Sequence, residues 1–152
     1  MISWYKNWFD SEYYHILYKN RDYNEAELFI NNILKILSPT KKSYFLDLCC
    51  GKGRHSILLN KMGYRVDGMD LSKNSIKQAL REKKNNLNFF VRDMRLIKEH
   101  NKYDFILNLF TSFGYFNNTN DNHLVITGVS KALKKKWLIH YRLFKYQKDT
   151  KR

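Results

Sequence analysis

The sequence predicts an α/β fold: a doubly wound, mainly parallel sheet of about five strands, with helices on both faces and further helices at the N-terminus. Three observations lead there. From Ser43 onward, short apolar runs alternate with stretches of helical periodicity, and repeated strand–helix–strand units build parallel sheets with right-handed crossovers. The first apolar run breaks at Gly51 and Gly53, residues that permit a sharp turn from strand into helix. The 152 residues, 43% hydrophobic and 16% aromatic, furnish one core and too little for two.

Each element has its own signal. Trp4, Tyr5, Trp8, Phe9, Tyr13, Tyr14 and Tyr18 crowd the start, where a short helix opened by Ser11 is expected, either packed on the core or set as a lid over a substrate. Asp22 with Glu25 has the form of a capping box, and Ala26, Phe29, Ile30, Ile33 and Leu37 recur at helical spacing until Ser38-Pro39. Residues 1–40 thus read as a helical cap. Tyr44 to Leu48 is the first strand; Ser56 to Met62 is helical and stops at Gly63; Tyr64 to Asp70 is the second strand. Ser72 caps a helix carrying Ile76, Ala79 and Leu80, and Leu87 to Val91 is the third strand. Tyr103 to Leu109 is the fourth, nearly all apolar, as a strand buried on both faces should be. A helix from about Asn122 to Lys134 carries Val125, Val129, Ala132 and Leu133, with Gly128 weakening it by about 1 kcal/mol relative to Ala. Trp137-Leu138-Ile139 begins a fifth strand. Residues 1–152 then form one domain, with a core at 43–139 and a basic tail at 140–152.

Composition narrows the setting. The net charge is +14, and residues 131–152 hold nine of the 28 basic residues against one acid, Asp149. Trp137, Tyr141, Phe144 and Tyr146 interleave with those cations, a pattern that binds RNA by stacking and phosphate contact, or is simply a solvated end. No run approaches the roughly 18–20 apolar residues of a membrane span, and the start lacks a basic segment followed by an apolar one. The two cysteines, Cys49 and Cys50, are adjacent and suit neither a disulfide framework nor a zinc site. A reducing cytoplasm and no metal are expected.

The chemistry concentrates in Leu46 to Ser56, LDLCCGKGRHS. Gly51 and Gly53 allow backbone to approach a ligand, and the turn's amides with the helix start favour a negative group. Asp47, at the strand end, can accept from an ammonium group. A phosphate-binding P-loop fails because Gly53 is followed by Arg54-His55, and a dinucleotide fingerprint lacks its third glycine, since position 56 is Ser. A turn with no ligand remains the plain alternative. Against it, Asp70 closes the second strand 17 residues after Gly53, where a carboxylate can take ribose hydroxyls, and Arg92-Asp93-Met94 closes the third, where Asp93 can receive an adenine amine and Met94 can lie against the ring.

Residues 43 to 116 resemble the cofactor-binding half of a class I S-adenosylmethionine-dependent methyltransferase, a Rossmann-like fold. LDLCCGKGRHS is similar to that family's first motif, with Cys49 in place of its first glycine. VDGMDLS (Val66 to Ser72), which places Leu71 beside Asp70, resembles the acidic ribose motif; FFVRDMR (Phe89 to Arg95) the adenine motif; and YDFILNLFTSFGYF (Tyr103 to Phe116) the fourth-strand motif beside the methyl group. The likeness is greatest to the small-molecule branch, whose aromatic N-terminal helices extend it over nearly all of residues 1 to 135.

The resemblance implies S-adenosylmethionine as cofactor and a small-molecule methyl acceptor. It implies binding of the cofactor by Asp47, Cys49, Gly51, Gly53, Arg54, Asp70, Leu71, Asp93, Met94, Asn108 and Phe110; Arg54 reads either as facing the cofactor's carboxylate or as a solvated or packed residue at the helix start. Asn108, Phe110, Thr111 and Tyr115 stand where a substrate is oriented, and no universal catalytic residue is implied, since in-line methyl transfer depends on alignment and water exclusion. His55 reads either as a group acting near the substrate or as a packed helix-start residue. The Asp/Asn-Pro-Pro-aromatic motif of exocyclic-amine DNA methyltransferases is absent at Asn108. The family sheet has seven strands ending in an antiparallel hairpin. Only 13 residues follow Ile139, so the expectation is a truncated chain without that hairpin, with its fifth strand open to pairing with a second copy. An inactive cofactor- or RNA-binding module is the alternative to an enzyme.

Overall fold

The structure, a computed structural model, describes residues 4–9, 11–17, 23–110 and 112–134. Among these, four parallel strands form one sheet in the order β3-β2-β1-β4: β1 is Tyr44–Leu48, β2 Arg65–Asp70, β3 Leu87–Val91 and β4 Phe105–Leu107. Register is continuous, with Asp47 opposite both Gly68 and Leu107. The count is one fewer than expected, because Trp137 to Ile139 lie outside the described residues. A single parallel bridge from Tyr103 to Leu133 does bring the chain alongside the start of β4. Tail residues 140–152, and with them any RNA contact there, also lie outside.

Alternation along β1 explains why helices cover both faces. Phe45 packs on one face with Ile30, Ile57, Leu59, Ile76 and Phe105, residues supplied by α3 (Tyr23–Leu37), α4 (Arg54–Lys61), α5 (Lys73–Ala79) and β4. Tyr44, Leu46 and Leu48 point the other way, onto Val125, Val129 and Ala132 of α6 (Thr119–Ala132). Such period-two division of one strand between two cores is the physical content of a doubly wound sheet.

Local signals set most boundaries. Ser72 caps α5 by accepting from the Ser75 amide at 3.0 Å, as expected. The aromatic N-terminal segment is two helices rather than one, α1 (Trp4–Phe9) and α2 (Glu12–Leu17). They part at Ser11, whose amide and hydroxyl both donate to the Trp8 carbonyl (3.1 and 2.7 Å). Helix α6 starts three residues earlier than the apolar pattern indicates, because Asn118 accepts from the Asn120 amide at 2.9 Å. Gly128 earns its place there by packing: a Cβ would stand 3.0 Å from the Ile97 Cβ. The capping acid expected for α3, Asp22, lies outside the described residues.

Toward the N-terminal ends of the strands, Asp67 is almost wholly buried, at 1% exposure. Its carboxylate accepts from Tyr44 Oη (2.6 Å), Tyr103 Oη (2.9 Å), Lys102 Nζ (2.8 Å) and Asn88 Nδ2 (3.1 Å). Burial pushes this carboxyl up, but the four donors outweigh it and hold it below the ordinary aspartate value. Burial and the neighbouring carboxylate push both tyrosine hydroxyls upward.

Candidate active site

A cavity of about 440 Å³ opens at the carboxyl ends of β1, β2 and β3, where open α/β sheets bind their ligands. Its size is ordinary for a small-molecule site.

The turn after β1 forms its floor. Cys49 sits at φ 64° and Gly51 at φ 55°, a left-handed region where a side chain costs about 1–2 kcal/mol; this is why a glycine suits position 49. Cys49 keeps its side chain on the cavity, with Sγ 3.7 Å from Met94 Sδ and Asn108 Nδ2 at 3.9 Å. Burial, followed by the negative charges of Asp70, Asp47 and Asp93, pushes its thiol well above the usual range. Gly51 also lines the cavity, and no atom lies within 4 Å of where its Cβ would stand.

Gly53 serves another purpose. At φ 81°, a Cβ there would lie 2.6 Å from Phe89 Cε1, and one on Gly68 would lie 2.6 Å from Phe89 Cδ1. The ring of Phe89 in β3 therefore fills the space left by two glycines. The sequence marks Gly53 for close approach to a ligand; the structure places it under the floor, off the cavity.

Asp70, which ends β2, and Leu71 just after it line the cavity. The Asp70 carboxylate braces the floor, accepting from the Gly51 amide through Oδ2 and from the Ser72 amide through Oδ1, both at 2.8 Å. Asp93 and Met94 line the far wall. Asp93 is held by Arg95: Oδ1 accepts from its backbone amide and Nε, each at 3.0 Å, and Oδ2 from Nη2 at 2.7 Å. Arg95 Nη1 reaches on to Asp121 at 2.9 Å.

The remaining expected residues stand back. Asp47 is buried and accepts from Ser56 Oγ at 2.6 Å; burial pushes its carboxyl up to about 6 against the Ser56 hydrogen bond, with Asp70 adding to the rise. Arg54 pairs with Glu25 of α3 at 3.1 Å, and its guanidinium lies 5.7 Å from the Phe110 ring centre. Phe110, at φ 62°, stacks on Phe29 with ring centres 5.6 Å apart. His55 is buried beside the same two rings, its ring centre 5.4 Å from Phe110 and 6.4 Å from Phe29. Asn108 meets the site through the Cys49 sulfur. Thr111 lies outside the described residues.

The other wall comes from elements far apart in sequence. Tyr5 and Phe9 of α1 line the cavity with Tyr115 and Phe116 of the loop after β4. Tyr5 meets Phe116 edge-on with centres 5.7 Å apart, and Phe9 meets Tyr115 at 5.4 Å. The aromatic clustering at the N-terminus was visible in the sequence; its contact with the loop after β4 was not. Lys73 and Arg92 also line the site, and Arg92 is bonded to Glu99 at 2.7 Å.

Residues 7–135 match the family described as Tellurite resistance protein TehB. The chain belongs to that family. Among curated TehB relatives, the protein of Haemophilus influenzae named "Probable S-adenosyl-L-methionine-dependent methyltransferase TehB" is 35% identical over 95 residues, covering 59% of this chain and 32% of that one. The chain thus spans about a third of that relative's length. The fold matches a TehB-like SAM-dependent methyltransferase from Corynebacterium glutamicum, with TM-score 0.58 and 23% identity over 71% of this chain and 55% of that one. It also matches the SAM-bound magnesium protoporphyrin IX methyltransferase of Synechocystis, with TM-score 0.65 and 18% identity over 85% and 70%. Family and fold are those of a class I S-adenosylmethionine-dependent methyltransferase. The open face at Gly51 fits that cofactor, since no side chain at this position takes up space beside the cavity it lines. Among the described residues, no helix is long and apolar enough to cross a membrane.

Proposed function

We propose that this chain binds S-adenosylmethionine in the cavity and transfers its methyl group to a small-molecule acceptor, acting in the reducing cytoplasm. The observation that carries the reading is the convergence of Cys49 and Gly51, Asp70 and Leu71, and Asp93 and Met94 on one cavity from three strand ends. Asp70 would take the ribose hydroxyls and Asp93 the adenine amine, with Met94 against the ring. Gly51 and Cys49 would face the amino-acid portion. Asp47, behind the floor, would act on the ammonium through charge. Gly53, Arg54, Asn108 and Phe110 would support these residues from outside the cavity.

When bound, the cofactor supplies a methyl group on a positively charged sulfur. The chain's part is alignment and exclusion of water, and the aromatic wall of Tyr5, Phe9, Tyr115 and Phe116 serves both. The family description concerns tellurite resistance, so tellurite comes first among acceptors to assay. RNA binding by the basic end and self-pairing along the sheet edge are separate contacts, read by gel shift and light scattering.

Calorimetry with S-adenosylmethionine and S-adenosylhomocysteine tests the reading. Binding to the wild type should fall at least tenfold in Asp70→Asn, with both proteins folded by circular dichroism. Absence of binding to the folded wild type would overturn the cofactor assignment; binding without transfer of labelled methyl to any acceptor fraction would favour the module without turnover.

A further inference from the structure

Arg95 closes the FFVRDMR segment but is not among the residues expected to bind the cofactor, and it touches a residue of each wall of the cavity. Its guanidinium makes three kinds of contact at once. Nε and Nη2 fork onto Asp93 on the cofactor-side wall, Nη1 bonds Asp121 in the first turn of α6, and the plane lies 4.8 Å from the ring centre of Phe116. Phe116 in turn meets Tyr5 of α1 edge-on. Asp93, Phe116 and Tyr5 all line the same cavity, so one side chain connects the carboxylate expected to read the adenine amine with both parts of the aromatic wall.

We propose that Arg95 is a positioning residue that links occupation of Asp93 by the cofactor to the setting of the Phe116–Tyr5 wall. The proposal rests on the cofactor reading above. A donor reaching Asp93 from the cavity has to share Oδ2 with Arg95 Nη2, which already holds it at 2.7 Å. Any shift of that fork moves a planar cation that is also seated on Phe116, because guanidinium geometry fixes all its donors together. Linkage then works in both directions: cofactor binding settles the wall, and a settled wall strengthens cofactor binding. Lysine could keep the charge near Phe116 and Asp121 but not the fork on Asp93.

The native tryptophans provide the probe. Trp4 lies in α1, edge-on to Tyr115 at 5.5 Å, and Trp8 lies in the same helix. In a Trp137→Phe background, emission comes from these two residues. Titration with S-adenosylhomocysteine should change their emission, and acrylamide quenching should fall as the wall settles. In Arg95→Ala, S-adenosylhomocysteine should still bind, about five- to tenfold more weakly, while the emission change shrinks to under a third of its amplitude. Arg95→Lys should recover folding stability but not the amplitude. Asp121→Asn, which leaves the fork intact, should keep most of it.

A purely structural Arg95 would lower the melting temperature and leave the amplitude at saturation unchanged; that result overturns the proposal. Full recovery by Arg95→Lys would overturn the role of the fork and the proposal with it. Failure of the wild type to bind S-adenosylhomocysteine would remove the cofactor reading as well, whereas binding with unaltered coupling in Arg95→Ala removes the inference alone.

Discussion

Gly51 and Gly53 are two residues apart in one turn, both have positive φ, and the structure assigns them opposite consequences on substitution. Gly53→Ala places a Cβ 2.6 Å from Cε1 and 2.7 Å from Cζ of Phe89, a buried ring that Gly68 confines from another side. A left-handed alanine costs about 1–2 kcal/mol, and overpacking a filled core adds about 1–3. The sum, about 2–5 kcal/mol, lowers the melting temperature by on the order of 10 °C in a domain of this size. Gly51→Ala meets nothing within 4 Å and carries only the backbone cost, so its melting temperature should fall by only a few degrees. Its methyl group, however, projects into the cavity, and affinity for S-adenosylhomocysteine should drop at least tenfold. Thermal denaturation and calorimetry on the same preparations separate the two effects. Shrinking the ring supplies the internal check: Phe89→Leu combined with Gly53→Ala should cost less than the sum of the single changes, since the leucine gives way to the new methyl. Equal stability of Gly53→Ala and wild type would refute the packing argument, and undiminished cofactor affinity in Gly51→Ala would refute the placement of the ligand.

Two buried carboxyls should respond to pH with opposite sign. Asp67 has a native pKa held below its ordinary value, so the stability it contributes is full above about pH 4 and is lost as pH falls through the native value. Asp67→Asn should cost about 3 kcal/mol at neutral pH, and the gap from wild type should close in acid, as read from denaturant midpoints between pH 2 and 7. Asp47, raised to about 6, binds its proton more tightly in the native state, so its burial costs stability at pH 8 and the cost disappears as pH falls through about 6 toward 4. Ser56→Ala removes the hydrogen bond that supports the charged form. Its destabilisation should be greatest at pH 8 and shrink toward pH 5, and a pH-independent loss in melting temperature would count against the account.

What the sequence disclosed was what local chemistry controls. The limits of β3 and the Ser72 cap of α5 follow from an apolar run and a hydroxyl at the right place. The turn after β1 was legible as a binding element because two glycines ended a strand, yet the division of labour between them was not. It depends on Phe89, 36 residues beyond Gly53, and no local pattern announces where that ring comes to rest. The same limit applies to Arg54, read either as facing a cofactor carboxylate or as packed at the helix start: its pairing with Glu25, 29 residues earlier, has no local signal. Asp93 and Met94 were marked by their position at a strand end, but the hold of Arg95 on Asp93 depends on how the short helical turn Met94–Leu96 packs on α6. The aromatic N-terminus could be read as core or lid; lining the cavity requires the loop after β4 to meet it, a contact more than a hundred residues long in sequence.

The buried Asp67 cluster bears on what sets the register of the sheet. Its five side chains come from positions 44, 67, 88, 102 and 103, so the last of them in sequence is Tyr103, ahead of all of α6. The hydrogen bonds that set β1, β2, β3 and the entry to β4 against one another therefore involve no residue of α6, and that helix packs on a face whose register is set without it. Tyr103 also carries the bridge to Leu133, so the residue that completes the carboxylate's hydrogen bonds offers the next stretch of chain its point of attachment.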